Sequence, residues 1–224
     1  SAVVEKLEDK DWQVRNAVVY TLGILEPAVL EQYAADVVAR IRHEDGGVRR
    51  AALHTLRNLA PAVSEQHAFE KLEDENKFVC EWAVETLGKL EPAALAPHAA
   101  RFVAALWHED KDVSLATLWA LRKLEPAVLA PHAARFVAKL RHEDKDVRIA
   151  AFRYTLGKLA PAVLAPHAAA VVARLEDEDR DVRIAALETL CKLEPAVLSQ
   201  YGASVNDRVC SWKSSGGMVG AGDL

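Results

Sequence analysis

One short phrase, repeated six times, constrains this chain more than any other feature. Leu-Glu-Pro-Ala, or Leu-Ala-Pro-Ala, recurs at Pro27, Pro61, Pro92, Pro126, Pro161 and Pro195, at spacings of 34, 31, 34, 35 and 34 residues. A period of this length marks a stacked array of small helical units, each unable to bury its apolar face alone. The repeat Pro161 to Leu193 shows why. Proline opens a helix readily, because its missing N–H would be unpaired in a first turn. Leu164, Ala168, Val171, Val172 and Leu175 then recur at helical spacing. The run Glu176-Asp177-Glu178-Asp179 breaks the pattern, and a second helix carries Val182, Ala185, Ala186, Leu187, Leu190 and Leu193 on one arc.

The start of each second helix is the best-specified point. Three residues before its first Val stand Asp11, Asp45, Asn76, Asp110, Asp144 and Asp179. Each can accept a bond from an orphan helix N–H, a cap worth roughly 1 kcal/mol. Second helices are therefore expected near 11–25, 45–59, 76–90, 110–124, 144–159 and 179–193. One repeat should not fold alone. About six buried side chains at ~1.5–3 kcal/mol cannot offset the ordering of a whole repeat at ~1–2 kcal/mol per residue. Interfaces between repeats must supply the rest.

The run Asp-x-Asp-Val-Arg-x-Ala-Ala-Leu-x-Thr-Leu at Asp179 to Leu190, and its near copy at Asp144 to Leu156, resembles the second helix of a HEAT repeat. The resemblance covers residues 1 to about 209 and implies a right-handed all-α solenoid of about six repeats, with second helices lining a concave face. It also implies that Arg15, Arg49, Arg148 and Arg183 bond acids of a neighbouring repeat, a ladder interrupted by Cys80 and Ser114. The solenoid is expected over 1–213, and Gly/Ser-rich 214–224 as a flexible tail. The chain has no initiator Met, and Ala2 to Leu7 reads like half a repeat, so a fragment of a longer array is expected.

Departures from the repeat mark the informative positions. Repeat 3 is three residues short, and Trp82 stands where other repeats have Ala17, Ala51, Ala116, Ala150 and Ala185. The indole either fills the vacated volume or tilts outward. Repeat 5 carries one extra residue, Phe152-Arg153-Tyr154-Thr155 replacing Leu187-Glu188-Thr189. Such an insertion is absorbed as a π turn or as a locally looser helix.

Positions +2, +6 and +9 from the first Val point away from the core. They are Arg50, His54 and Arg57 in repeat 2, and Glu81, Glu85 and Gly88 in repeat 3. Repeat 4 has Leu115, Trp119 and Arg122; repeat 5 has Ile149 with Arg153 or Tyr154; repeat 6 has Ile184. Leu115, Trp119, Ile149, Tyr154 and Ile184 form either a partner-binding strip or lateral packing between repeats.

Little points to chemistry. The chain has no Gly-rich phosphate loop, no GxSxG and no zinc spacing, so neither catalytic residues nor cofactors or metals are expected. Di-iron HEAT-like hydroxylases place His-Glu pairs just after Val-Arg; here Asn16-Ala17, Arg50-Ala51, Ile149-Ala150 and Ile184-Ala185 stand there. His43, His108 and His142 precede Glu in loops about one repeat apart, too dispersed to share a metal. A net charge of -5 gives no general attraction to nucleic acid or anionic membrane, and no apolar run is long enough to insert. Three unpatterned cysteines favour a reducing intracellular compartment. The expectation is a non-catalytic scaffold for a protein or peptide partner. The alternatives are a HEAT-like enzyme or nucleic-acid binder, as in DNA glycosylases or bilin lyases, and an architectural segment.

Overall fold

A computed structural model of the protein describes residues 2–26, 28–29, 32–56, 61–74 and 76–214. Among them all regular structure is helical. They fall into two compact bodies, Ser1–Leu90 with Trp107–Ala116, and Glu91–Leu106 with Thr117–Leu224.

In both bodies the second helices follow the pattern of their caps. They run over Trp12–Gly23, Gly46–Leu56, Lys77–Leu87, Lys111–Leu121, Lys145–Ala150 and Arg180–Leu190. Asp45 Oδ1 accepts from the backbone N–H groups of Gly47 (2.7 Å) and Val48 (3.0 Å). Asp144 Oδ1 does the same for Asp146 (2.9 Å) and Val147 (3.4 Å). Asp11, Asn76, Asp110 and Asp179 accept from Gln13, Phe78, Asp112 and Asp181 in turn. These bonds satisfy donors that a helix start leaves open.

A second turn lies just outside each cap. The N–H of the cap residue donates to a carboxylate in three repeats: Asp9, Asp74 and Asp177. In the other three it donates to a ring nitrogen, Nδ1 of His43, His108 and His142, at 3.0, 3.0 and 3.1 Å. Aspartate and neutral histidine thus do the same job. The loop histidines are turn acceptors, which explains their alternation with Asp.

The first helices are less regular. Those opened by Pro92, Pro126 and Pro161 run as a single α-turn, then a 3-10 turn over Ala96–His98, Ala130–His132 or Ala165–His167, then α-helix again. Pro97, Pro131 and Pro166 lack the N–H that would continue the ladder, so the helix tightens and redirects there. Repeat 3, three residues short, has no internal proline, and its first helix Pro61–Lys71 is unbroken.

Within each body, Leu, Val and Phe side chains of the described helices fill the core. Phe102, Phe136 and Phe152 are its largest fully buried members. Trp82 is buried as well, so its indole fills space inside repeat 3. Repeats also join through their caps. Lys77 Nζ bonds Asp110 Oδ2 at 2.9 Å in the first body, and Lys145 Nζ bonds Asp179 Oδ2 at 3.1 Å in the second. The partnered lysine holds each carboxyl below its ordinary range.

Candidate partner-binding surface

The second helix of repeat 5 is where the geometry departs most from its neighbours. After Lys145–Ala150 the chain forms a π turn over Ala151–Thr155 and a 3-10 turn over Leu156–Lys158. The wide turn absorbs the extra residue. Beyond it, Thr155, Leu156 and Leu159 are buried, as are Thr189, Leu190 and Leu193 of repeat 6, so core register is regained. Thr155 Oγ1 donates to Ala151 O (2.6 Å), matching Thr189 on Ala185 O (2.8 Å). The turn also demands Gly157: a Cβ there would lie 2.8 Å from the carbonyl oxygen of Phe152. Backbone that close cannot yield cheaply.

The π turn decides which inserted side chain meets the neighbouring repeat. Arg153 is exposed, whereas Tyr154 is half-buried against Trp119. The two rings lie 5.1 Å apart between centroids and 48° apart in plane. Arg122 Cζ sits 4.6 Å from the Trp119 centroid and 5.8 Å from that of Tyr154. A guanidinium over two aromatic faces is held by their quadrupoles while its edge stays available. Trp119 is still 51% exposed. Below the cluster, Lys158 Nζ donates to the carbonyls of Arg122 (2.7 Å) and Leu124 (2.6 Å), pinning the end of the preceding second helix. Burial pushes that ammonium's pKa down.

The remaining candidates divide. Ile149 and Ile184 are half-buried on the second body, and Leu115 is half-buried on the first. Arg50 and His54 are exposed on Gly46–Leu56 in the first body, and Arg57 lies outside the described residues. Sequence reasoning missed the first repeat. Trp12, Tyr20 and Ile24 are 60%, 72% and 67% exposed, and Tyr20 occupies the same +6 position as Trp119. That register was the signal. Two helices on in the same body, burial and then the nearby Glu85 and Asp112 raise the Glu81 carboxyl, so acid follows this aromatic and basic stretch.

The arginine ladder implied by the resemblance is largely absent. Arg15, Arg49, Arg148 and Arg183 each donate from Nη1 to two carbonyls of their own loop. Of the four, Arg148 alone hydrogen-bonds an acid of the next repeat, through Nη2 to Asp177 Oδ1 at 2.9 Å and to Glu178 Oε1 at 3.5 Å. The reason is the residue facing each one. Arg15 meets the loop of His43; Asp74, in repeat 3, is taken by Arg42 and the Asn76 N–H. Arg49 lies instead over the Phe78 ring at 4.2 Å. In repeat 3, Cys80 stands in the arginine's place and donates to Leu72 O.

Among the described residues no group of three or more His, Cys, Asp or Glu is placed to hold a metal. No helix among them is long and apolar enough to cross a membrane.

No protein-family profile and no curated protein matches the chain. Solved structures do. A crystal structure of an engineered protein from the Northeast Structural Genomics Consortium superposes with a TM-score of 0.54 at 17% identity, covering 84% of this chain and 94% of that one. A designed armadillo repeat protein gives 0.52 at 13% identity over 86% of this chain and 99% of its own. Another, in complex with the peptide (KR)4, gives 0.54 at 13% identity over 86% and 98%. The chain is an all-α helical-repeat solenoid. At these identities the likeness speaks for the fold alone.

Proposed function

We propose that this solenoid is a non-catalytic scaffold of six HEAT-like repeats over residues 1–213, holding a protein or peptide partner along its second helices. The observation that carries the reading is the Trp119–Arg122–Tyr154 cluster. A half-exposed tryptophan, a tyrosine and an arginine packed on one another are the residue types that dominate binding energy at interfaces. Packing among themselves restricts their rotamers before any partner arrives, which lowers the entropy cost of binding. Ile149 and Ile184 extend the apolar contact on the same body, with Arg153 at its polar rim. A similar structure being a designed armadillo repeat protein in complex with a peptide supports such use of the fold.

The test is selection of peptides from a displayed library on the purified chain, followed by titration against W119A and Y154A. Selected ligands should weaken about tenfold or more with each variant, the loss expected of a central aromatic anchor. Equal affinity for all three proteins would remove the reading.

A further inference from the structure

A second surface, in the first body, carries its own signature. The second helices of repeats 1 and 2 flank a groove of about 720 Å³. Its apolar wall is Trp12, Tyr20 and Ile24, all more than half exposed. Its hydrogen-bond donors include the Arg15 and Arg50 guanidiniums and the His54 imidazole, and neither Asp nor Glu lines it. Repeat 2 opens its second helix with Gly46-Gly47, where other repeats have pairs such as Lys111-Asp112 or Arg180-Asp181. The missing side chain leaves room for the Arg15 guanidinium: a Cβ on Gly47 would lie 2.4 Å from Nη2.

That guanidinium is incompletely used. Its Nη1 is bound to the carbonyls of Asp9 (2.7 Å) and Lys10 (3.1 Å). In repeat 5 the matching Nη2 is neutralised by Asp177. In repeat 2 the residue in Asp177's place is His43, whose Nδ1 already accepts from Asp45 N–H. The nearest cap carboxylate, Asp45, spends Oδ1 on Gly47 and Val48. The Arg15 charge is felt by the Asp45 and Asp9 carboxyls but closes no ion pair with either, so it faces the groove beside aromatic surface.

We infer that this groove binds an acidic peptide segment, its carboxylates on Arg15, Arg50 and His54 and an apolar side chain against Trp12 and Tyr20. Charge complementarity selects the occupant. Repeat 3 carries Glu81 and Glu85 at the positions of Arg50 and His54, which disfavours a long polyanion running along the second helices, as does the chain's net charge of -5. The site belongs to the first body and the Trp119 cluster to the second, so either reading can fail without the other.

The experiment uses the whole chain and fluorescein-labelled (EL)4, (KL)4 and the oligonucleotide dT20, followed by anisotropy. (EL)4 should bind, more weakly as salt rises, and (KL)4 should not. R50E/H54E installs the residues that repeat 3 carries at the same positions, so the helix should tolerate it; (EL)4 should weaken about tenfold or more, as one charge reversal and one added carboxylate imply. W12A deletes the indole without changing the charge and should weaken (EL)4 about threefold. Absent (EL)4 binding, or binding unmoved by R50E/H54E, overturns the proposal. So does tighter binding of dT20, which would assign the groove to nucleic-acid phosphates. Unchanged affinity of W12A overturns the apolar half, and conversion of a dimer to monomer by R50E/H54E would make the occupant a second copy.

Discussion

Arg148 in the second body and Arg15 and Arg49 in the first share one sequence position and one set of loop carbonyls, yet their outer nitrogens meet three different surroundings. Arg148 is buried and paired with buried Asp177. Arg49 lies on the Phe78 ring. Arg15 faces an open groove. The difference teaches that the Val-Arg motif secures each loop locally, while its second role is set by whatever the next repeat presents. Where that is a carboxylate, the arginine becomes a lock between repeats. Where it is a histidine or nothing, the same charge remains available to a ligand.

The sharpest break in this comparison is R148M. It leaves buried Asp177 with Arg174, at 3.5 Å, as its remaining cation and should cost about 3 kcal/mol in urea denaturation. R49M, losing the same two loop carbonyl bonds but a cation–π contact in place of the buried ion pair, should cost less, about 1–2 kcal/mol. Equal losses would end the distinction. Backbone should separate the bodies in the same direction. G157A must displace the Phe152 carbonyl and should cost about 1–3 kcal/mol, with a change in near-ultraviolet dichroism as Tyr154 shifts on Trp119. G47A meets only the movable end of Arg15 and should cost less. Converting one region into the other is a further test: H43D gives Arg15 the acid that Arg148 has and keeps the turn acceptor. It should raise the unfolding free energy by about 0.5–1 kcal/mol and weaken (EL)4.

The smallest effect is on pH. Burial, then nearby Lys139, holds the His142 pKa below its ordinary 6.5, and burial, then Arg135, does so for His132. A depressed pKa in the folded state means the unfolded chain binds more protons. This stability is complete above 6.5 and is lost as pH falls through the folded values. Protonation of His142 also removes the Nδ1 acceptor used by Asp144 N–H. Urea midpoints at about pH 7.5 and 5.5 should differ, and H142D, using the acceptor found in three other repeats, should narrow the gap.

Much of the fold was legible because repetition supplies its own controls. Period, apolar arcs and acid-before-Val were each seen several times, so a local rule could be checked against its copies. The kinks of the first helices were not read from the sequence: Pro97, Pro131 and Pro166 accompany three of them, but Ser199–Tyr201 makes the same turn without a proline. Tyr20 carried the same register signal as Trp119. What could not be read was which of Arg153 and Tyr154 would meet Trp119. A one-residue insertion changes side-chain direction by about 100° in an α-helix and by less in a wide turn, and the choice between them is made by packing.

By itself, then, the order of residues determined that helical pairs stack, where each second helix begins and which faces are apolar, because those properties depend on spacing within about one turn. Tertiary structure decided the partners of the arginines, the placement of Tyr154 on Trp119 and the opening of the groove beside Gly47. Those outcomes depend on side chains roughly a repeat apart in the chain, whose meeting is governed by volume and charge in the assembled stack.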